Sequence, residues 1–166
     1  MSWLSEYITI ADFVGEYQLS VQNHDTFVNV VESVSESILL TLLGCQLFDD
    51  FIDDIDTNEH YQHLRDGENY INSQNITLKY KGIKSFLVPF IYSEICGNVG
   101  LATQVGMIIP VADNSENVNE FSAKIKSVRI YNKAVSLYAN CYSYLYAKKN
   151  NFENWYFVPL IKKTTL

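Results

Sequence analysis

Basic residues, cysteine, proline and glycine are all sparse in this chain: 166 residues hold 12 Lys and Arg, 3 Cys, 3 Pro and 7 Gly. Cys45, Cys96 and Cys141 are odd in number and widely spaced, with no CxxC pair. That excludes a disulfide framework and a structural zinc site, and predicts reduced, buried thiols in a cytosolic compartment. A net charge of −7 excludes a protein that binds free DNA by bulk attraction. Long hydrophobic runs are missing too. The longest candidate span, Ile83 to Ile109, is interrupted by Lys84, Pro89, Glu94, Asn98 and Gln104. It falls short of the ~20 apolar residues a bilayer demands. The opening "MSWLSEYITIADF" lacks a basic n-region and a continuous apolar core, so no secretory signal is expected. The expectation is a soluble protein with no membrane partner.

Catalytic signatures are equally scarce. There is no G-x-S-x-G, no cysteine near a histidine, no P-loop and no G-x-G-x-x-G. Two groups of polar side chains invite a metal. In "DDFIDDID", Asp49, Asp53 and Asp56 share one helical face, as do Asp50 and Asp54. A calcium loop needs alternating acids and a glycine on irregular backbone, and that pattern is absent. Apolar residues recur between the acids at helical spacing, as on a solvated face. His60 and His63 stand three apart, with Asp56 four residues before His60, but no HExxH is present. The reading is that the chain is not an enzyme and holds no metal or cofactor. One alternative is a small metal-dependent hydrolase using Asp53, Asp56, His60 and His63. Another is a regulatory binding module.

Aromatics are abundant, with 12 Tyr and 9 Phe. Tyrosine joins an apolar ring to a polar tip, so it serves cores and half-wet interfaces alike. Charge is split along the chain. Residues 1–123 carry 18 Asp and Glu against 4 Lys and Arg, a balance of −14; residues 124–166 carry 8 Lys and Arg against Glu153, a balance of +7. An acidic body and a basic end attract one another, within one copy or head to tail between copies.

The periodicity predicts a mainly α protein: a bundle of about four to five helices in residues 1–150, a small β-hairpin at about 70–81, and an extended tail over 151–166. "TIADF" starts a short first helix, with Thr9 as N-cap and Asp12 completing a near capping box. Asp25 caps a second helix with Phe27, Val31, Val34, Ile38 and Leu42 on one stripe, and Gly44 stops it. A third helix runs from about Cys45 to Ile55. Between Tyr70 and Tyr80, Ile76, Leu78 and Tyr80 alternate with Thr77 and Lys79 after turn residues Asn72 to Asn75, which predicts the hairpin. Gly82 lets the chain turn sharply into an apolar helix that Pro89 kinks. After "MIIPV" and the loop "ADNSEN" comes the longest helix, about Asn117 to Lys149, with Phe121, Ile125, Val128, Val135, Tyr138, Tyr142 and Leu145 on its stripe. Lys126, Arg129 and Lys133 lie near one face of it and can meet phosphates. The tail carries Phe152, Trp155, Tyr156, Phe157, Leu160 and Ile161, and so much apolar surface on a terminus calls for cover.

Several of these stretches together resemble a known family. "LLGCQLFDDFID", the L-x-x-G-x-x-Y of Leu64, Gly67 and Tyr70, the hairpin, and the step Tyr80-Lys81-Gly82-Ile83-Lys84 into an aromatic helix resemble the head–tail connector (adaptor) proteins of tailed phages, in particular of phages infecting Bacteroidetes. The likeness spans most of residues 40–146. Where that family's helix continues as YF-x-Y-A-R, this chain has Pro89 and reads "FIYSEI". The resemblance implies a ring of identical copies, typically a dodecamer, beneath the portal protein in the virion neck. The ring would extend the DNA channel to the next neck or tail ring, after assembly in the host cytoplasm. Tyr70, Ile76, Leu78 and Tyr80 of the hairpin and Trp155, Tyr156, Phe157 and Leu160 of the tail are then the expected subunit and partner contacts. Lys126, Arg129 and Lys133 are the candidates for lining the channel, facing packaged DNA without sequence specificity.

Overall fold

A computed structural model describes residues 3–19, 21–98, 102, 105, 120–152, 155, 156 and 160–164. The fold is mainly helical, with one two-stranded antiparallel hairpin. Helix α1 is Trp3–Tyr7, and two single 3-10 turns follow at Ile10–Asp12 and Gly15–Tyr17. The first helix thus lies earlier than "TIADF" suggests. Thr9 is extended, and the Asp12 carboxylate accepts from its backbone N–H at 2.8 Å, so the cap closes one tight turn instead of opening a helix.

Helix α2 spans His24–Asp54 and leaves helical geometry once, at Gly44, whose φ is 74° and ψ 163°. The expected stop at Gly44 is therefore a break between two helical halves. The cap is not Asp25: the side chain of Asn23 accepts from Thr26 N at 3.1 Å. Among the described residues α2 is the one helix long and apolar enough to cross a membrane by length and composition. It is interrupted at Gly44, and Phe27, Val31, Leu39, Leu43, Leu47 and Phe51 are sunk in the core.

Helix α3, Glu59–Asp66, is capped by the Asn58 side chain. Strands β1, Asn69–Ile71, and β2, Thr77–Lys79, pair with Tyr70 opposite Leu78. Helix α4 is Lys84–Gly97, with Pro89 inside it and ten consecutive-to-scattered buried positions from Phe86 to Cys96. Helix α5, Glu120–Ala147, is the longest uninterrupted one. The stretches "MIIPV" and "ADNSEN" fall outside the described residues, as does the side chain of Phe121.

Helices α4 and α5 form the central pair and run antiparallel. Ser127 Oγ donates to the Ser93 carbonyl at 2.7 Å, Phe90 meets Tyr131 edge-on at 5.3 Å, and Phe86 meets Tyr138 edge-on at 5.8 Å. The approach is close at one end: a Cβ on Gly97 would lie 2.5 Å from Ser127 Oγ. The buried face of α5 is Ile130, Ala134, Val135, Tyr138, Cys141, Tyr144 and Leu145. It is rotated from the expected stripe, and Ile125 is exposed. Small Ala134 and Cys141 are fully buried, Cys141 against Tyr80 of the hairpin base, and Ile125 lies on α5 beyond Ser127, which already faces the end of α4 at Gly97.

Candidate interaction surface

The junction of hairpin and α4 is a clasp made of backbone. Gly67 (φ 95°) ends α3 and Gly82 (φ 77°) precedes α4. A Cβ on Gly67 would sit 2.5 Å from the Tyr80 carbonyl oxygen, and one on Gly82 would sit 2.4 Å from that of Arg65. Only glycine fits such contact at such dihedrals. Tyr80 N donates to the Glu68 carbonyl at 2.8 Å and Ile83 N to the Arg65 carbonyl at 3.0 Å, so the chain leaving the hairpin is tied back to the end of α3.

Aromatic packing completes the base. Tyr80 stacks on Tyr144 at 4.4 Å, and Tyr70 meets Tyr144 edge-on at 5.4 Å. The Cys141 thiol donates to the Tyr80 hydroxyl at 3.2 Å, and that hydroxyl donates to the Leu64 carbonyl at 3.0 Å. Burial pushes the Cys141 thiol up to about 12, so it stays protonated and serves as a donor. Tyr144 donates to Glu68 at 2.8 Å, and Glu68 also meets Lys148 at 3.1 Å and His63 at 3.6 Å. Partial burial opposes the Glu68 charge, but these partners outweigh it and hold the carboxyl below its ordinary range.

The base contrasts with the tip. Tyr70, Leu78, Tyr80 and Ile76 share one face of the hairpin, because Tyr70 pairs with Leu78 and side chains alternate. Along β2 that face passes from Tyr80 at 3 % exposure to Leu78 at 38 % and Ile76 at 49 %. Ile71, on the other face, is 60 % exposed. The hairpin is anchored at its root and carries bare apolar side chains toward its end. Tyr70 and Tyr80, expected at an interface, are instead core residues of their own chain, because the face they share turns inward onto Tyr144. Ile76 and Leu78, also expected at an interface, are exposed, and Ile71 joins them at the surface. Its outward alternation was visible in the sequence.

The tail lies along its own chain. Phe152 is buried against Tyr61 and Tyr144. The Trp155 indole donates to the Leu42 carbonyl at 2.9 Å, an acceptor next to the break at Gly44, and its ring meets Tyr142 at 5.4 Å. The Tyr156 ring passes over Gly44, yet most of that side chain is exposed. Leu160 packs partly against the core. Asn132 grips the Lys163 backbone, donating to its carbonyl and accepting from its N–H, each at 2.8 Å, while the Lys163 ammonium sits 4.2 Å above the Tyr131 ring. Trp155 and Leu160 are therefore partly covered within one copy. Phe157 lies outside the described residues.

The basic residues of α5 are mostly engaged. Lys126 donates to the Tyr92 hydroxyl at 2.7 Å. Lys133 pairs with Glu16 and lies 5.3 Å from the Tyr17 ring centroid. That ion pair chiefly, and the nearby Arg129 more weakly, lower the Glu16 carboxyl. Arg129 itself is exposed. Part of the charge split is thus spent inside one copy, through Lys133 with Glu16 and Lys148 with Glu68.

The acid and imidazole groups do not converge. Asp56 accepts from Arg65 at 3.1 Å, His63 faces Glu59 and Glu68, and His60 Nδ1 lies 3.4 Å from the Asn151 amide. Asp49, Asp50, Asp53 and Asp54 are exposed along α2. Among the described residues, no three His, Cys, Asp or Glu side chains gather as metal ligands would.

A helical bundle bearing a rooted hairpin is the class this fold defines. Within it, residues 39–163 match a family of unknown function (DUF6712), and the chain belongs to that family. No curated protein and no solved structure matches it.

Proposed function

We propose that this chain is a structural subunit of the tailed-phage neck: a head–tail connector that assembles as a ring of identical copies below the portal protein and extends the DNA channel toward the tail. The observation that carries the reading is the hairpin, rigid at its root and apolar at its end. Exposed Ile71, Ile76 and Leu78 on a two-stranded arm are surface that a finished monomer would cover or replace. The step Tyr80-Lys81-Gly82-Ile83-Lys84, on which the resemblance to connectors rests, is the root of that arm.

The charge split supports the same reading. Its unspent part is an acidic face on α2, with Asp49, Asp50, Asp53 and Asp54, and exposed basic groups at Arg129 and Lys162. Copies arranged head to tail bring opposite signs together. Arg129 is the channel-lining candidate with no short contact to an aromatic ring among the described residues, while Lys126 and Lys133 face DNA only by loosening from Tyr92 and Glu16. The chain performs no catalysis in this reading; its partners are its own copies, the portal, the next ring and the packaged DNA.

The test is electron microscopy and mass measurement of the full chain, alone and mixed with the portal protein of its virus. A closed ring, free or seated on the portal, is the expected result. A monomer in both samples, with no portal binding, overturns the proposal.

A further inference from the structure

On the side of the molecule away from the hairpin, α2, α4 and α5 leave a groove of about 570 Å³. Its apolar lining is Val30, Val34, Ile38, Phe90 and Tyr131. One wall is polar but uncharged: Thr26, Asn29, Ser33 and Ser37 follow one another at helical spacing along α2. Among the described residues Glu94 is the one charged residue of the lining. Asp25 and Glu36, both exposed, sit one turn from Asn29 and Ser33 on α2 and flank that wall.

We infer that this groove receives the hairpin end of a second copy of the same chain. Three features of the hairpin match three of the groove. Ile76 and Leu78 offer apolar side chains to the apolar lining. Lys79, exposed beside Leu78, offers positive charge to Glu94, Asp25 and Glu36. The sheet has two strands among the described residues, so each strand has an outer edge of backbone N–H and C=O groups. A wall of hydroxyl and amide side chains can bond both kinds of group, which an aliphatic wall cannot.

The hairpin cannot reach the groove of its own chain. It is rooted on Tyr144, and Tyr131 lines the groove; thirteen helical residues separate them, about 20 Å along α5. A projection at one place and a matching groove at another make a heterologous contact, which propagates from copy to copy and closes into a ring when the rotation allows. The inference rests on the connector reading and adds to it which surfaces join neighbours.

The test is disulfide trapping with the full chain in a Cys45→Ser background, since Cys45 is the exposed native thiol. Leu78→Cys chains mixed with Ser37→Cys chains should give a covalent dimer on oxidation. Each variant alone should give none. A chain carrying both changes should give a ladder of covalent oligomers, the mark of a contact that repeats. Both positions are surface-exposed, so the variants should fold, as unchanged circular dichroism would show. Leu78→Cys chains that link to one another would show hairpin meeting hairpin and overturn the inference. So would a double variant that stays unlinked. If rings form while that variant stays unlinked, the hairpin docks elsewhere and the connector reading survives. If no assembly forms with or without portal, both fall.

Discussion

The hairpin root and the C-terminal tail are both rich in aromatics, yet they are held in different ways. At the root, backbone meets backbone across Gly67 and Gly82, and every buried polar group named there has a partner: Tyr80 with Leu64 and Cys141, Tyr144 with Glu68. After the 3-10 turn Lys149–Asn151 the described tail residues have no helix or strand, and single side chains fix them: Trp155 on Leu42, Asn132 on Lys163. Interlocked backbone leaves no room to give, whereas side-chain clamps can be released one at a time. The root is therefore the more tightly fixed of the two, and the tail depends on a few separate side-chain contacts.

Substitutions can separate the two. Gly82→Ala should cost most, about 3 kcal/mol or more, because the new Cβ meets the Arg65 carbonyl and the residue keeps a positive φ; urea unfolding would show a large fall in midpoint. Tyr80→Phe should cost about 2 kcal/mol, since it strips a hydrogen bond from a buried carbonyl. Trp155→Ala should cost less, about 1 kcal/mol, because the indole is half-buried and one bond to Leu42 is lost. If Trp155→Ala proved costlier than Tyr80→Phe, the ranking of root over tail would be reversed.

The smallest of these effects is pH-dependent. Glu68 has a lowered carboxyl in the folded chain. Its contribution is complete above the ordinary carboxylate range and is lost as pH falls through the lower folded value. Being partly exposed, the group contributes under about 1 kcal/mol. Glu68→Gln should flatten the acid limb of stability against pH, measured by thermal unfolding, by lowering neutral stability slightly and leaving the acid end unchanged.

Much of the fold could be read from the chain because its signals are local. Alternation from Ile76 to Tyr80 beside turn residues gave the hairpin, and one glycine at 82 marked the turn into α4. Gly44 signalled a break for the same reason: a positive φ is a local preference of glycine. The inward face of α5 was harder to read. A search for large apolar residues selects Ile125 and passes over Ala134 and Cys141, small residues that the fold buries completely. The site was half legible for a related reason. Apolar alternation placed Ile76, Leu78 and Tyr80 on one strand face, but where the body ends along that face depends on Tyr144, far away in sequence. The fold-back of the tail onto Leu42 and Asn132 rests on long-range bonds that no periodicity announces.

The account turns on the hairpin end serving other copies and not its own fold. The most direct measurement compares the wild-type chain with Ile76→Asp/Leu78→Asp, by thermal unfolding and by mass in the assembly conditions. Exposed positions leave the melting temperature almost unmoved, so the expected outcome is equal stability with the ring lost to monomer. A doubly charged hairpin that assembles as fully as the wild type would contradict the account.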